Sequence, residues 1–422
     1  MTSAIAFRCL VLAVLRRPLA RQVCSPSNLN YISDFEKELV YIGEWIRKER
    51  WKIVEKINDV LIVDPVKGEF VGDILIDGER IERVIPKDSN VHEYTAMPGF
   101  IDWHTHGCMR KDTMRLSSEE LEEWEDFLYS QGVTTFLPTT VSAKKEDMIR
   151  VSKFIDEYIQ KKRHTSVYGV HYEGPYINVK KKGAQNPNVI RIATVEEMKE
   201  VISPVVKLIT MAPEIEGFYD VLPVLKKNGT VVSLGHMDAD FEEMKCAFFH
   251  DVNRITHFPN AIKGLHHREL GGVGAGLYLD FKIEMIVDGI HLAPEFVDMV
   301  YRIKGADKIT LITDSIDAAG LKDGKFNLGG LDVTVKNGKA TLSDGTLAGS
   351  TLLFNRAVKN FKKFTNCSLK ELTKVSSYNA ARDLEIEDIA RIKEGYKANI
   401  VLLDDELNVV RTYSNGEIVY EA

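Results

Sequence analysis

The chain has few of the features that mark a secreted, membrane or nucleic-acid-binding protein. Among its 422 residues there are five cysteines, Cys9, Cys24, Cys108, Cys246 and Cys367. They are scattered, odd in number and form no CxxC pair, which argues against a disulfide framework and fits a reducing, cytoplasmic setting. No apolar run is long enough to span a bilayer. An excess of positive charge is also missing. The formal net charge is -7, so nothing favours nucleic acid or anionic lipid, although a local basic pocket for one phosphate stays compatible with that total. Acidic residues are absent up to Ser33, a stretch in which Arg8, Arg16, Arg17 and Arg21 surround the apolar run CLVLAVL. A targeting peptide has this kind of pattern, but the run is short and no small-residue cleavage site follows it. Residues 1–50 are therefore read as a poorly ordered extension, or as the product of an upstream start, and are left out of the fold argument.

With 44% hydrophobic residues, the remainder can bury one large core, or a large domain with a smaller companion. After Met97, short β-branched runs alternate with amphipathic stretches. Eight strands are expected: 100–106, 133–139, 167–173, 206–211, 230–236, 254–258, 282–288 and 308–314. Helix signals lie between them. Ser117 with Glu120, and Thr194 with Glu197, have capping-box spacing; Gly132 and Gly229 stand as stops. Strand and helix repeated eight times imply a parallel sheet closed into a (β/α)8 TIM barrel over residues 98–395. Residues 51–97 and 396–422 read instead as short strands and turns, and are expected to pair as one small β-sandwich domain built from both chain ends. Residues 326–345, with an Asn-Gly turn, are expected to form a hairpin inserted after the eighth strand.

Functional side chains of such a barrel lie at the C-terminal ends of its strands. His104 and His106 end the first, Glu173 the third, His236 the fifth, His257 the sixth and Asp314 the eighth; His291 follows the seventh. The i, i+2 spacing of His104 and His106 puts both imidazoles on one face of a strand, as a metal site requires. Taken singly, each of these residues has an ordinary reading: an exposed strand end for the two histidines, a solvated turn for Glu173, a hydrogen-bonded structural residue for His236 or His257, a helix N-cap for Asp314. Together they offer one Glu and two His to a metal with a position left open for water, and a carboxylate beside that water to take its proton.

The motifs PGFIDWHTHG, GVHYEGPYIN, KKGAQNP, SLGHMDAD, THFPNAIKGLHHRE, IVDGIHL, LITDSIDAAG and DGTLAGST, in this order, resemble the N-acetylglucosamine-6-phosphate deacetylases of the amidohydrolase superfamily. The resemblance covers nearly everything after residue 51. It implies that Glu173, His236 and His257 hold the catalytic divalent metal, with zinc the best match and iron, cobalt or manganese as alternatives. His104 and His106 would belong to a second metal position, giving one or two ions per subunit, and Asp314 would be the general base and acid. Ala184, Gln185, Asn260, Ala261, His291, Leu347, Ala348 and Gly349 would line the phosphosugar site. Arg268 would clamp the phosphate from a neighbouring subunit, which implies a homodimer. One position departs from the family pattern: Gln185 stands where a KKGAH-type motif has histidine. An amide donates a hydrogen bond but carries no positive charge, so weaker oxyanion stabilisation is expected. The competing readings are another metal-dependent amidohydrolase, acting on a cyclic amide or as a deaminase, and a weakly active or non-catalytic homologue.

Overall fold

The computed structural model describes residues 54–422; the extension expected over residues 1–50 lies outside them. Eight parallel strands form one sheet in chain order: β1 Phe100–Thr105, β2 Val133–Thr140, β3 Val170–Glu173, β4 Val206–Met211, β5 Val231–Leu234, β6 Arg254–Ile255, β7 Lys282–Ile286 and β8 Ile309–Ile312. The last strand returns to the first at the C-terminal ends. The Asp314 N–H donates to the His104 carbonyl at 2.9 Å, and the His106 N–H to the Ser315 carbonyl at 2.8 Å. Asp102, the last residue of PGFID, clasps this seam. Its Oδ2 accepts the Thr313 hydroxyl at 2.6 Å, and its Oδ1 the Thr313 N–H at 3.3 Å. Burial pushes the Asp102 carboxyl up to about 7, against the opposing effect of the Thr313 hydrogen bonds.

The connecting helices are α1 Ser118–Tyr129, α2 Lys145–Lys161, α3 Val195–Val201, α4 Phe218–Asn228, α5 Phe241–Phe249, α6 Gly271–Tyr278, α7 Pro294–Lys304 and, after β8, α8 Phe354–Thr365. Ser117 and Glu120 form the reciprocal capping box at the start of α1, whose buried stripe carries Leu121, Trp124 and Leu128. Thr194 caps α3 by accepting the Glu197 N–H. Gly229, with φ 75, ends α4 in the left-handed conformation that glycine adopts without steric cost.

Both flanking segments join one continuous seven-stranded sheet. Its order is 417–421, 409–414, 400–403, 95–98, 54–64, 68–77 and 80–86. The join between the chain ends is the antiparallel pairing of Thr95–Pro98 with Ile400–Leu403. Alternate residues on these strands, among them Ile74, Ile76, Ile400 and Leu402, bury into a core of their own with Ile57, Ile62 and Tyr413. The insertion after β8 contains one strand more than the expected hairpin: 324–328, 331–336 and 339–341. Asn337 and Gly338 turn it with φ 52 and 74, the paired positive values of a two-residue hairpin turn.

Candidate active site

The strand ladders of β5 and β6 stop two residues short of their histidines. His236, His257 and Asp314 each follow a strand and each has a positive φ, of 51°, 31° and 48° respectively. A left-handed backbone at a non-glycine residue costs roughly 1–3 kcal/mol, and persists where surrounding contacts over-determine it. Three such residues at one barrel mouth turn three side chains off their strand directions and toward a common point. Glycine permits the close approach around them. Gly174, with φ 74, follows Glu173, and a Cβ there would meet the Ser142 hydroxyl at 2.3 Å; Gly349, with φ 56, leaves no room for one beside the Asp314 carbonyl at 2.8 Å.

Four imidazoles converge on Glu173. His236 Nε2 and His257 Nε2 lie 3.1 and 3.0 Å from its Oε1, and 3.0 Å from each other. His104 Nε2 is 3.4 Å from the same oxygen, and His106 Nε2 is 3.3 Å from Oε2. Asp314 Oδ1 stands 3.1 Å from His106 Nε2 and 3.5 Å from His104 Nε2. Three of the four opposite ring nitrogens have acceptors, while His257 Nδ1 is buried without one. His106 Nδ1 faces the Thr139 carbonyl at 3.1 Å, His236 Nδ1 the Lys181 carbonyl at 2.9 Å, and His104 Nδ1 the Glu284 carboxylate at 3.2 Å. Acceptors at Nδ1 place the proton there and leave an Nε2 lone pair directed at the centre, which is how a second layer of contacts prepares histidine for a metal.

Charge points the same way. Glu173, Glu284 and Asp314 are buried, and among the described residues none has a lysine or arginine nitrogen within 4.0 Å. Burial works against an ionised Glu173, but His236 and the other imidazoles hold its carboxyl well below the usual range. Asp314 is likewise lowered, with burial opposed by His104 and His106. Burial also disfavours charge on His106, yet Asp314 and Glu173 hold that imidazole up to about 9. A dication offers these carboxylates the same counter-charge and would displace the protons. His104 Nε2 is buried and makes no hydrogen bond, as expected of a ligand nitrogen. Two groups have ligand atoms within 4.8 Å of one another: His104, His106 and Glu173, and Glu173, His236 and His257. Nitrogen and carboxylate donors in this arrangement fit one or two divalent ions that share Glu173.

Above this floor opens a cavity of about 490 Å³. Ala184, Gln185, Asn260, Ala261, His291, Leu347 and Gly349 line it. Ala348 is fully buried, its N–H tied to the Ala340 carbonyl. Arg268 does not line this cavity. It lies on an exposed loop, where its guanidinium meets His267 Nε2 at 2.8 Å. Gln185 is buried and is engaged at both ends of its amide: Nε2 donates to Glu173 Oε2, and Oε1 accepts the Ser142 N–H at 2.6 Å.

Several residues here were not singled out from the sequence. Lys180, Lys181 and Lys182 make one cavity wall basic; the KKG run signalled them. Asp288 accepts both the N–H and the Nδ1–H of His291, each at 2.7 Å, and so aims that ring. His171 lies edge-on to His104, with ring centroids 4.6 Å apart. It joins a hydrogen-bonded chain through Thr210 and Thr256 to Ser233. Glu284 sits in the middle of β7, and a charged residue inside an otherwise buried strand was its signal.

Comparison with known proteins agrees with this geometry. The amidohydrolase family pattern matches residues 95–419. An N-acetylglucosamine-6-phosphate deacetylase of Lysinibacillus sphaericus is 39% identical over 327 residues, covering 76% of this chain and 84% of the relative. That of Bacillus subtilis is 35% identical over 384 residues, covering 86% and 96%. The crystal structure of N-acetylglucosamine-6-phosphate deacetylase from Thermotoga maritima superposes with a TM-score of 0.84 at 50% identity, covering 87% of this chain and 100% of that one. The chain thus belongs to the amidohydrolase family and, within it, to the N-acetylglucosamine-6-phosphate deacetylases.

Proposed function

We infer that the chain hydrolyses the acetamide of N-acetyl-D-glucosamine 6-phosphate to D-glucosamine 6-phosphate and acetate, in amino-sugar catabolism. The observation that carries this reading is the meeting of four imidazoles, Glu173 and Asp314 at the floor of a cavity walled by lysines and Asn260. A divalent cation held by Glu173, His236 and His257, with a second at His104 and His106, supplies Lewis-acid polarisation and a more acidic water. Zinc suits the donor set best, with iron, cobalt or manganese as alternatives.

The chain's own residues do the rest. Asp314, whose Oδ1 stands 3.1 Å from His106 Nε2 at the cavity floor, accepts a proton from the attacking water. The water oxygen bonds to the acetyl carbon and the C–N bond breaks. Asp314 then returns the proton to the departing amine. Gln185 faces the cavity as a donor to the acetyl oxygen through its second amide hydrogen, and His291, with its Nδ1–H on Asp288, presents Nε2 to the sugar as an acceptor. The full set of ligands counts against a non-catalytic scaffold. Replacing the 6-phosphate ester by a free hydroxyl should lower kcat/KM by orders of magnitude, because the lysine wall would lose its partner. Equal kcat/KM for the two sugars would refute a phosphosugar substrate.

The active unit in this reading is a homodimer in which Arg268 reaches the neighbouring subunit's cavity. Supporting it, Arg268 does not line its own cavity, and Leu265 on the same loop is 54% exposed. Mixing Arg268→Ala with Asp314→Asn subunits would then create hybrid sites with both groups intact. Activity above the sum of the parents is expected; activity equal to that sum counts against reach in trans. The free Cys108, Cys246 and Cys367 fit a cytoplasmic setting, and no helix among the described residues is long and apolar enough to cross a membrane.

A further inference from the structure

Glu284 is fully buried in β7 and has no role in the chemistry described above. One of its oxygens makes two contacts. Oε2 lies 3.2 Å from His104 Nδ1 and accepts the His257 N–H at 3.2 Å. The other oxygen, Oε1, has no hydrogen-bond partner. Burying a carboxylate with half its acceptor capacity unused costs stability, so the two contacts it does make need an explanation.

They fall on opposite halves of the metal centre. His104 belongs to the group with His106 and Glu173; His257 belongs to the group with Glu173 and His236. At His104 the carboxylate holds the Nδ1 proton and so leaves the Nε2 lone pair free. At His257 it takes the N–H of a residue whose φ of 31° needs support. On the other side of that residue, Asn260 donates its N–H and its side-chain amide to the His257 carbonyl, at 2.8 and 3.0 Å. His257 is thus pinned from both sides of its strained backbone, and Glu284 is the pin it shares with His104.

We propose that Glu284 is a positioning residue that ties the two metal positions together, so that its loss weakens both. The proposal rests on the two-position centre described above. It differs from a ligand's role in a measurable way. Loss of a ligand such as His104 removes one ion and leaves the position at Glu173, His236 and His257 nearly intact. Loss of Glu284 acts on both.

The test is titration of metal-stripped protein with Co²⁺ against a chromophoric chelator, followed through the cobalt absorption bands. Wild type, Glu284→Met, Glu284→Gln and His104→Gln are compared. Wild type should take up two equivalents and His104→Gln one. Glu284→Met should bind both ions about 10–100-fold more weakly, the usual effect of losing a group that orients a ligand. Glu284→Gln keeps an acceptor at the shared oxygen and should fall between wild type and Glu284→Met. If Glu284→Met does not fold, Glu284→Gln decides: weakening of both ions supports the link, and unchanged affinities overturn it. Two ions bound by Glu284→Met as tightly as by wild type, or weakening confined to one position, also overturns it. If wild type takes up a single equivalent that His104→Gln leaves in place, the two-position centre itself fails, and Glu284's role fails with it.

Discussion

Replacing Asp314 by asparagine separates proton transfer from structure more cleanly than replacing it by alanine. The Asp314 backbone has φ 48, a region that asparagine tolerates far better than most residues. Its N–H donates to the His104 carbonyl at 2.9 Å and its carbonyl accepts the Ser350 N–H at 2.7 Å; both bonds belong to the main chain and survive the change. Asp314 is in neither group of metal-ligand atoms, so bound metal should stay at the wild-type level. What disappears is the carboxylate that takes and returns a proton. Positioned general acid–base groups contribute about 10²–10⁴-fold in rate, or roughly 3–5 kcal/mol in the barrier. Asp314→Asn should therefore lower kcat for acetate release by that factor, with metal content and the urea unfolding midpoint close to wild type. Turnover near wild type refutes the role of Asp314. Loss of turnover together with loss of metal shows that the residue works through the ions instead.

Gln185→Ala leaves the buried Ser142 N–H without its acceptor and Glu173 Oε2 without its amide donor. An unsatisfied buried group costs about 1–3 kcal/mol, so the urea midpoint should fall, and an unchanged midpoint means the amide is not held as described. If Gln185 also donates to the acetyl oxygen, kcat should drop about 10²–10³-fold in the same variant. Thr313→Val deletes the 2.6 Å hydroxyl bond to buried Asp102; a loss of about 1–3 kcal/mol in urea denaturation is expected at the barrel seam, and no loss would show that the seam holds without it. Lys304 donates to the Gly276 and Leu279 carbonyls near the end of α6, and burial lowers its ammonium from 10.5 to about 8. Between these values the unfolded chain binds the proton and the folded chain does not, so this group's contribution to stability rises as pH rises from 8 to 10.5 and is lost as pH falls through the folded value. Lys304→Met should flatten the slope of unfolding midpoint against pH in that window, and parallel slopes for the two proteins would refute the assignment.

How much of this was legible in the sequence depended on the period of the signal. The barrel was readable because each βα unit repeats a local pattern, with caps such as Ser117 and Glu120 marking helix starts. The convergence of His104, His106, Glu173, His236, His257 and Asp314 followed from strand ends sharing one rim. The true ends of β5 and β6 were not readable, because a left-handed residue leaves no compositional trace when it is histidine. Glu284 and His171 were missed for a related reason. Each acts through a partner far away in the chain, His104 in both cases, and no local spacing encodes such a contact. Gln185 could be recognised as unusual from its motif alone, but its link to Glu173 depends on how the loop after β3 folds back.

The central claim is that this rim is a metal-dependent deacetylase site for a 6-phosphorylated N-acetyl sugar. It is tested most directly by following acetate release from N-acetylglucosamine 6-phosphate before metal removal, after it, and after a divalent ion is restored. The account predicts acetate and glucosamine 6-phosphate in equal amounts, with activity abolished by stripping and recovered on reloading. No acetate from the metal-loaded protein, or full activity after the metal has been removed, would contradict it.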